Sequence, residues 1–309
     1  MSRLNSQPNQ RRALGFAACA LASSFWGCGF FFGKIALAEM GFAHMVLYRF
    51  LFSMVPLAPL LITHPPRLNR KEWGVLLLSA FLGVPVQFLL QFYGLSMTTV
   101  SHASLMVGTM PVILAIGAML FVHERMDRIG WIAMAASTCG AAMIAFGHHQ
   151  TGAQSSSFIG DMLIVVSLIV ALFWILFNKQ LMEQHSPIVI TAYGLALGTL
   201  MLMIWVPLGY GLPPVAHVSL KAWLALIASG LLCTALTTLL WNWGLTQVPA
   251  SQAGVLLNME PLIGSMLGVF VLGEHLGINA WIGGVLILGA AIVLTTHSKT
   301  EVREQIPIT

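Results

Sequence analysis

Charge is what this sequence has least of. Only 8% of its 309 residues are Asp, Glu, Lys or Arg, against about 25% in a typical soluble domain, so the chain lacks the polar surface that would keep it in water. Cysteine is sparse too. Cys19, Cys28, Cys139 and Cys233 are scattered through apolar runs without CxxC spacing, which excludes a disulfide frame or thiolate metal site and leaves them as small buried side chains. No GxxxxGK[ST] loop is present, so ATP is not a direct energy source within this chain. HExxH, Ser-Lys or Ser-His pairs in adjoining spans, and paired aspartates are missing as well. An enzyme is therefore not expected, and neither is a cofactor. His148-His149 in a loop has no further ligands nearby in sequence, so no metal is expected. The net charge of +4 does not form a basic patch, which argues against nucleic acid.

What the chain has is apolar length. It is 58% hydrophobic with a mean hydropathy of +0.86, and apolar stretches recur near the ~20 residues that cross a bilayer as a helix. Ten spans are predicted, at 13–36, 42–63, 73–93, 99–122, 129–147, 159–181, 188–208, 220–243, 250–272 and 279–296. The chain reads as an all-α integral membrane protein whose partner is the lipid bilayer. Arg11 and Arg12, an apolar run and ALA at 20–22 imitate a signal peptide. The apolar character continues to about residue 36, however, and further spans follow, so the segment reads as an uncleaved first crossing. With both termini cytoplasmic, Arg3, Arg11, Arg12, Arg67, Arg70, Lys71, Arg125, Arg128, Lys179, Lys299 and Arg303 all fall in or beside inside segments. Lys34, Arg49 and Lys221 lie toward the other side. This bias is what the positive-inside rule requires, and it predicts a multi-pass protein of the cell (inner) membrane.

The sequence also repeats itself. YGLSMTTVSHASLMVGTMPVILAIGAMLFVHERM (93–126) lies over WGLTQVPASQAGVLLNMEPLIGSMLGVFVLGEHL (243–276) without a gap, at an offset of 150. Gly94 meets Gly244, Ser101 meets Ser251, Pro111 meets Pro261 and Glu124 meets Glu274. Proline disfavours helix interiors, so a proline matched within two spans is specific. The domain organisation is then two five-span copies, 1–147 and 159–296, followed by a cytoplasmic tail at 297–309. Five is odd, so the second copy enters the membrane from the opposite side. That is an inverted-topology duplication, with a binding site expected near the midplane between the halves.

Several of these residues carry a family resemblance. FWGCGFFFGK (25–34), YRF (48–50), YGL (93–95) and LGEHLGINAWIGGVLILGA (272–290) resemble the EamA-type transporters of the drug/metabolite transporter superfamily, over essentially the whole chain. The first copy departs slightly, with His123-Glu124 where the second has Gly273-Glu274. The resemblance implies ten helices, two EamA repeats and alternating-access transport of a small metabolite. It does not name the metabolite, because the family handles amino acids, drugs, sugars and vitamins.

Ionisable residues deep in a membrane are functional candidates by default. Glu260 falls about midway through the ninth span. Pro261 removes a backbone donor and is expected to free the carbonyl of Leu257. With Asn258 this makes a polar break, and Pro111 repeats it in the first copy, with Met110 in place of the carboxylate. Two readings stand for Glu260: a binding or proton-exchanging acid, or a protonated packing residue. For Pro111 and Pro261 they are a gate or a static kink. Arg49, roughly 10 Å from its span end at 1.5 Å per residue, either pairs transiently with Glu260 or snorkels to the headgroups. Trp26, Gln87, Gln91, His102, Trp174, Trp241 and Asn242 complete the binding candidates. Facing a cavity, Gln87 and Gln91 would hydrogen-bond a polar solute while Trp rings cover its apolar part; facing neighbours, they would be interhelical glue. Tyr93 and Trp243 read as interfacial belt residues, Lys34 and Asp161 as anchors, and Glu124 and Glu274 as structural. GFFFG (29–33) and GSMLG (264–268) permit close helix approach, either within the bundle or in a homodimer. The reading is a secondary transporter exporting or exchanging a small organic metabolite, such as an amino acid or drug-like compound, with proton coupling through Glu260. An intramembrane enzyme or a channel is the alternative.

Overall fold

The computed structural model describes residues 6–97, 106–147, 158–216, 218–272, 278–297 and 300–302. The helices are α1 (Ser6–Leu37), α2 (Phe42–Thr63), α3 (Arg70–Met97), α4 (Met110–Phe121), α5 (Arg128–Gly147), α6 (Phe158–Met182), α7 (Pro187–Tyr210), α8 (Leu220–Leu245), α9 (Ala250–Leu256), α10 (Met259–Leu272) and α11 (Ile278–His297). The pair α9 and α10 forms one crossing, so the bundle has ten. Six helices are long and apolar enough to span a membrane by length and composition, and they are α1–α3 and α6–α8. These are the first three helices of each copy; the last two crossings of each are shorter or broken. A two-stranded antiparallel sheet, absent from the sequence expectation, joins β1 (Glu124–Met126) to β2 (Thr300–Val302).

Local chemistry sets the helix starts. Asn69 caps α3 in a reciprocal box, accepting from the Glu72 N–H at 2.9 Å while the Glu72 carboxylate accepts from the Asn69 N–H at 2.7 Å. Ser219 caps α8, accepting from the Ala222 N–H at 3.2 Å. Both α3 and α8 then widen into a π-helical turn, at Leu82–Val86 and Leu231–Leu236. These lie at matching places in the two copies. Pro85 occupies the first; in the second, Thr234 and Thr237 hydroxyls donate to carbonyls five residues back. Hydrophobic patterning carries no signal for such an inserted residue, and neither turn is visible in the sequence.

The two copies run in opposite directions. One end of the bundle brings together Tyr193 and the Leu61 carbonyl, Glu72 and His185, and Arg12 and Gln252. Arg67, Arg70, Lys71 and Lys179 belong to the same end, which is called the basic end below. The opposite end joins Glu39 to Ser219, His44 to the Gly211 carbonyl and Tyr48 to the Pro214 carbonyl. Connections that follow the first helix of each copy, at Glu39 and at His185, thus lie at different ends.

Glycine contacts repeat the symmetry. A Cβ on Gly94 of α3 would lie 2.7 Å from the Gly160 carbonyl oxygen of α6, and one on Gly244 of α8 would lie 3.0 Å from the Gly15 carbonyl oxygen of α1. Each copy therefore lays its third helix against the first helix of the other. A bulky residue at either position would force these backbones apart, at a cost of about 1–3 kcal/mol for overpacking.

The opposed copies make a direct prediction. In a cysteine-free background, Arg67→Cys and Val215→Cys should react with a membrane-impermeant maleimide from opposite sides of oriented vesicles. Labelling of both from one side would refute the inverted arrangement.

Candidate functional site

A cavity opens where the two copies meet. Its lining comes from α1 (Trp26, Gly29), α2 (Arg49), α3 (Gln87, Phe88, Gln91, Phe92), α6 (Leu168, Ala171, Trp174, Ile175) and the two broken crossings (Val107, Met110, Leu257, Glu260). It leaves about 70 Å³ for the centres of water-sized molecules, several times what one water requires.

Arg49 is the best-anchored group in the wall. Only 3% exposed, it does not snorkel. Its Nε donates to Thr234 Oγ1 at 2.7 Å, and its Nη2 donates to the Cys233 carbonyl at 2.8 Å. Its guanidinium carbon lies 5.1 Å from the Phe88 ring centre and 5.9 Å from that of Phe92, within cation–π range. Thr234 in turn donates to the Ser229 carbonyl at 3.0 Å. The π-helical turn of α8 therefore presents both a carbonyl and a hydroxyl to Arg49, an arrangement that π-bulges at functional sites commonly provide.

Glu260 stands in the first turn of α10, where the positive end of the helix dipole favours a carboxylate. Arg49 and Glu260 face the same cavity. Among the described residues no direct ion pair joins them. The break before Glu260 differs from the sequence expectation. The Leu257 carbonyl is not free: it accepts from the Glu260 N–H at 2.9 Å. The chain turns at Leu257-Asn258, and Pro261 sits just inside the new helix, where its missing N–H leaves no intrahelical bond unmade. Pro111 occupies the same place at the start of α4.

The structure brings Trp26, Arg49, Gln87, Gln91, Trp174 and Glu260 to one cavity and leaves other candidates outside its lining. Asn258 is buried and donates to Ser137 Oγ at 2.9 Å, tying the break to α5. Asn242 donates to Thr191 Oγ1 at 2.8 Å. Trp241 is buried behind Trp26, ring centres 5.3 Å apart. His102 lies outside the described residues. Sequence reading missed Phe88, Phe92, Gly29 and Thr234. The offset of 150 that aligns the copies sets Thr234 against the apolar Val84 and so marks Thr234; Phe88, Phe92 and Gly29 carry no such signal.

Pseudo-symmetry explains the shape of the cavity. On the α3–α6 side, Trp174 lies directly over Gly83, where a methyl group would overlap the indole. On the α8–α1 side Cys233 faces Gly29, and the space left by the missing side chain lies 3.7 Å from Arg49 Nη2. Met110 likewise stands opposite Glu260 in the alignment. The lining therefore combines aromatic and aliphatic side chains with one buried cation and one carboxyl group.

Comparison with known proteins fits this architecture. The model of the EamA-like transporter family matches residues 13–146 and again 158–296. The chain belongs to that family. An uncharacterized transporter of Archaeoglobus fulgidus is 26% identical over 290 residues, 91% of this chain and 97% of its own. The Bacillus subtilis protein named uncharacterized transporter YetK is 24% identical over 293 residues, 92% of this chain and 87% of its own. A solved crystal structure superposes with a TM-score of 0.74 at 17% identity, over 92% of this chain and 96% of that one; that likeness is one of fold. This EamA-like chain is a multi-pass membrane transporter with two EamA domains.

The anchoring of Arg49 can be tested without a substrate. Thr234→Val leaves the buried Nε unpaired, at about 1–3 kcal/mol. The protein should melt at a lower temperature in detergent, while Thr234→Ser, which keeps the hydroxyl, should melt near the parent.

Proposed function

We propose that this transporter is an alternating-access carrier that exports or exchanges a small amphipathic metabolite, of the amino-acid or drug-like kind, through the cavity between its repeats. The observation that carries this reading is the mixed lining of the cavity. Arg49 and Glu260 face it together with the indoles of Trp26 and Trp174 and the apolar Leu168, Ile175 and Met110. A solute with an anionic end would dock on Arg49, whose fixed planar fork suits a carboxylate. A cationic or donor group would meet Glu260 or the Gln87 oxygen, which is buried without a hydrogen-bond partner among the described residues. The apolar remainder would lie against the indole rings. Trp26, Gln91 and the paired prolines Pro111 and Pro261 complete the proposed site. The prolines fix where each broken crossing restarts.

In this reading the basic end faces the cytoplasm, with both termini, and the repeat boundaries follow the copies 1–147 and 159–296. Proton coupling is assigned to Glu260, which would bind a proton when the solute's positive group is absent. A channel or an intramembrane enzyme is the competing class. Reconstituted carrier flux saturates and shows counterflow; a channel shows neither, and an enzyme moves no solute.

Two expectations follow for proteoliposomes loaded with a solute identified by a metabolite-resistance screen. Glu260→Gln should transport without pH dependence or not at all; full, pH-responsive transport would remove the acid from the mechanism. Arg49→Lys should weaken apparent affinity about tenfold, because a point charge cannot replace the anchored fork.

A further inference from the structure

Between the cavity and the basic end the helices pack closely, and one carboxylate joins three of the elements there. On α6, Lys179 lies one helical turn beyond Ile175 of the cavity wall. On the ninth crossing, α9 runs from Ala250 to the cavity at Leu257. On α4, the chain runs on from Met110 to Phe121 and then to Glu124. Between these levels α4 packs closely on both α6 and α9. A methyl group on Gly117 of α4 would overlap Leu172 of α6, and one on Gly254 of α9 would lie 3.3 Å from Leu114 of α4.

Glu124 sits where the three helices end, only 4% exposed. It pairs with Lys179 at the end of α6. It also accepts from the first N–H groups of α9, Ala250 at 3.2 Å and Ser251 at 3.0 Å, and from Ser251 Oγ at 2.9 Å. His123, with φ +57°, makes the left-handed turn that precedes it. Burial alone would raise its pKa, but Lys179 and Ser251 outweigh that and hold it below the usual carboxylate value, so Glu124 stays charged. A buried carboxylate with this many partners exceeds what capping one short helix requires.

We propose that Glu124 is a gating residue for transport: its bonds to Ser251 and the start of α9 keep the basic-end mouth of the cavity shut, and Lys179 positions it for that contact. This rests on the alternating-access reading above. Opening toward the basic end then requires α9 to leave Glu124, and the charge left on Glu124 draws α9 back.

The test uses the full chain in membrane vesicles of both orientations, with the native cysteines replaced and Ala171→Cys as a reporter in the cavity wall. The probe is a membrane-impermeant, charged methanethiosulfonate. Adding Glu124→Gln or Ser251→Ala should raise the labelling rate from the basic-end side roughly tenfold, a typical size for a shifted conformational equilibrium, with no rise from the other side. Glu124→Asp should restore part of the closure. Lys179→Met, which keeps the bonds to α9 available, should give a smaller rise. An unchanged rate in Glu124→Gln, or an equal rise from both sides with a lowered melting temperature, would overturn the gate and leave Glu124 a structural cap. A parent reporter that reacts equally fast from both sides would instead refute the alternating-access reading, and the gate with it.

Discussion

A charge that cannot reach water must find its partners inside the protein, and the site is organised around how Arg49 meets that requirement. Its guanidinium is held by the Cys233 carbonyl and the Thr234 hydroxyl. Both are supplied by a helical turn that has been opened by one residue. The widened turn in α8 is thus what makes a fixed cation tolerable in an apolar bundle, and the fixed cation gives the cavity its polar wall.

Duplication supplies the scaffold and divergence supplies the site. The copies share helix order, π-helical turns, restart prolines and the glycine contacts that set helix spacing. They differ where the cavity is. Trp174 faces Gly83 on one side while Gly29 and Cys233 leave room for Arg49 on the other, and Met110 stands where the second copy has Glu260. A symmetric pocket would present the same chemistry twice to a solute that is itself asymmetric. Substitution at a few paired positions avoids that without disturbing the frame.

Much of this was legible in the sequence, for identifiable reasons. The scarcity of charge marks the membrane, and a gapless self-alignment at an offset of 150 reveals the inverted copies, because span number and handedness follow from parity. Glu260, Arg49, Gln87, Gln91, Trp26 and Trp174 stand out as polar or amphipathic residues deep in apolar runs, and the fold brings all six to one cavity. What sequence could not show is direction. Asn258, Trp241 and Asn242 have the same composition signal but point at neighbouring helices, where Ser137, Trp26 and Thr191 meet them. The π-helical turns are invisible for a related reason: one inserted residue rotates a helix face without changing its hydrophobicity. Glu124 reads as structural in the sequence, closing a helix as Glu274 closes its counterpart, and only the fold shows three elements converging on it.

The contact between Gly27 and the first turn of α10 bears on which parts can travel together. With no side chain at Gly27, α1 lies against the Glu260 carbonyl itself. The first helix of one repeat therefore packs on the acid-bearing turn of the other, and the meshing of Gly117 with Leu172 joins α4 to α6 in the same crosswise way. Close backbone contacts thus tie helices of one half to helices of the other, and a boundary drawn at the middle of the chain would cut through them.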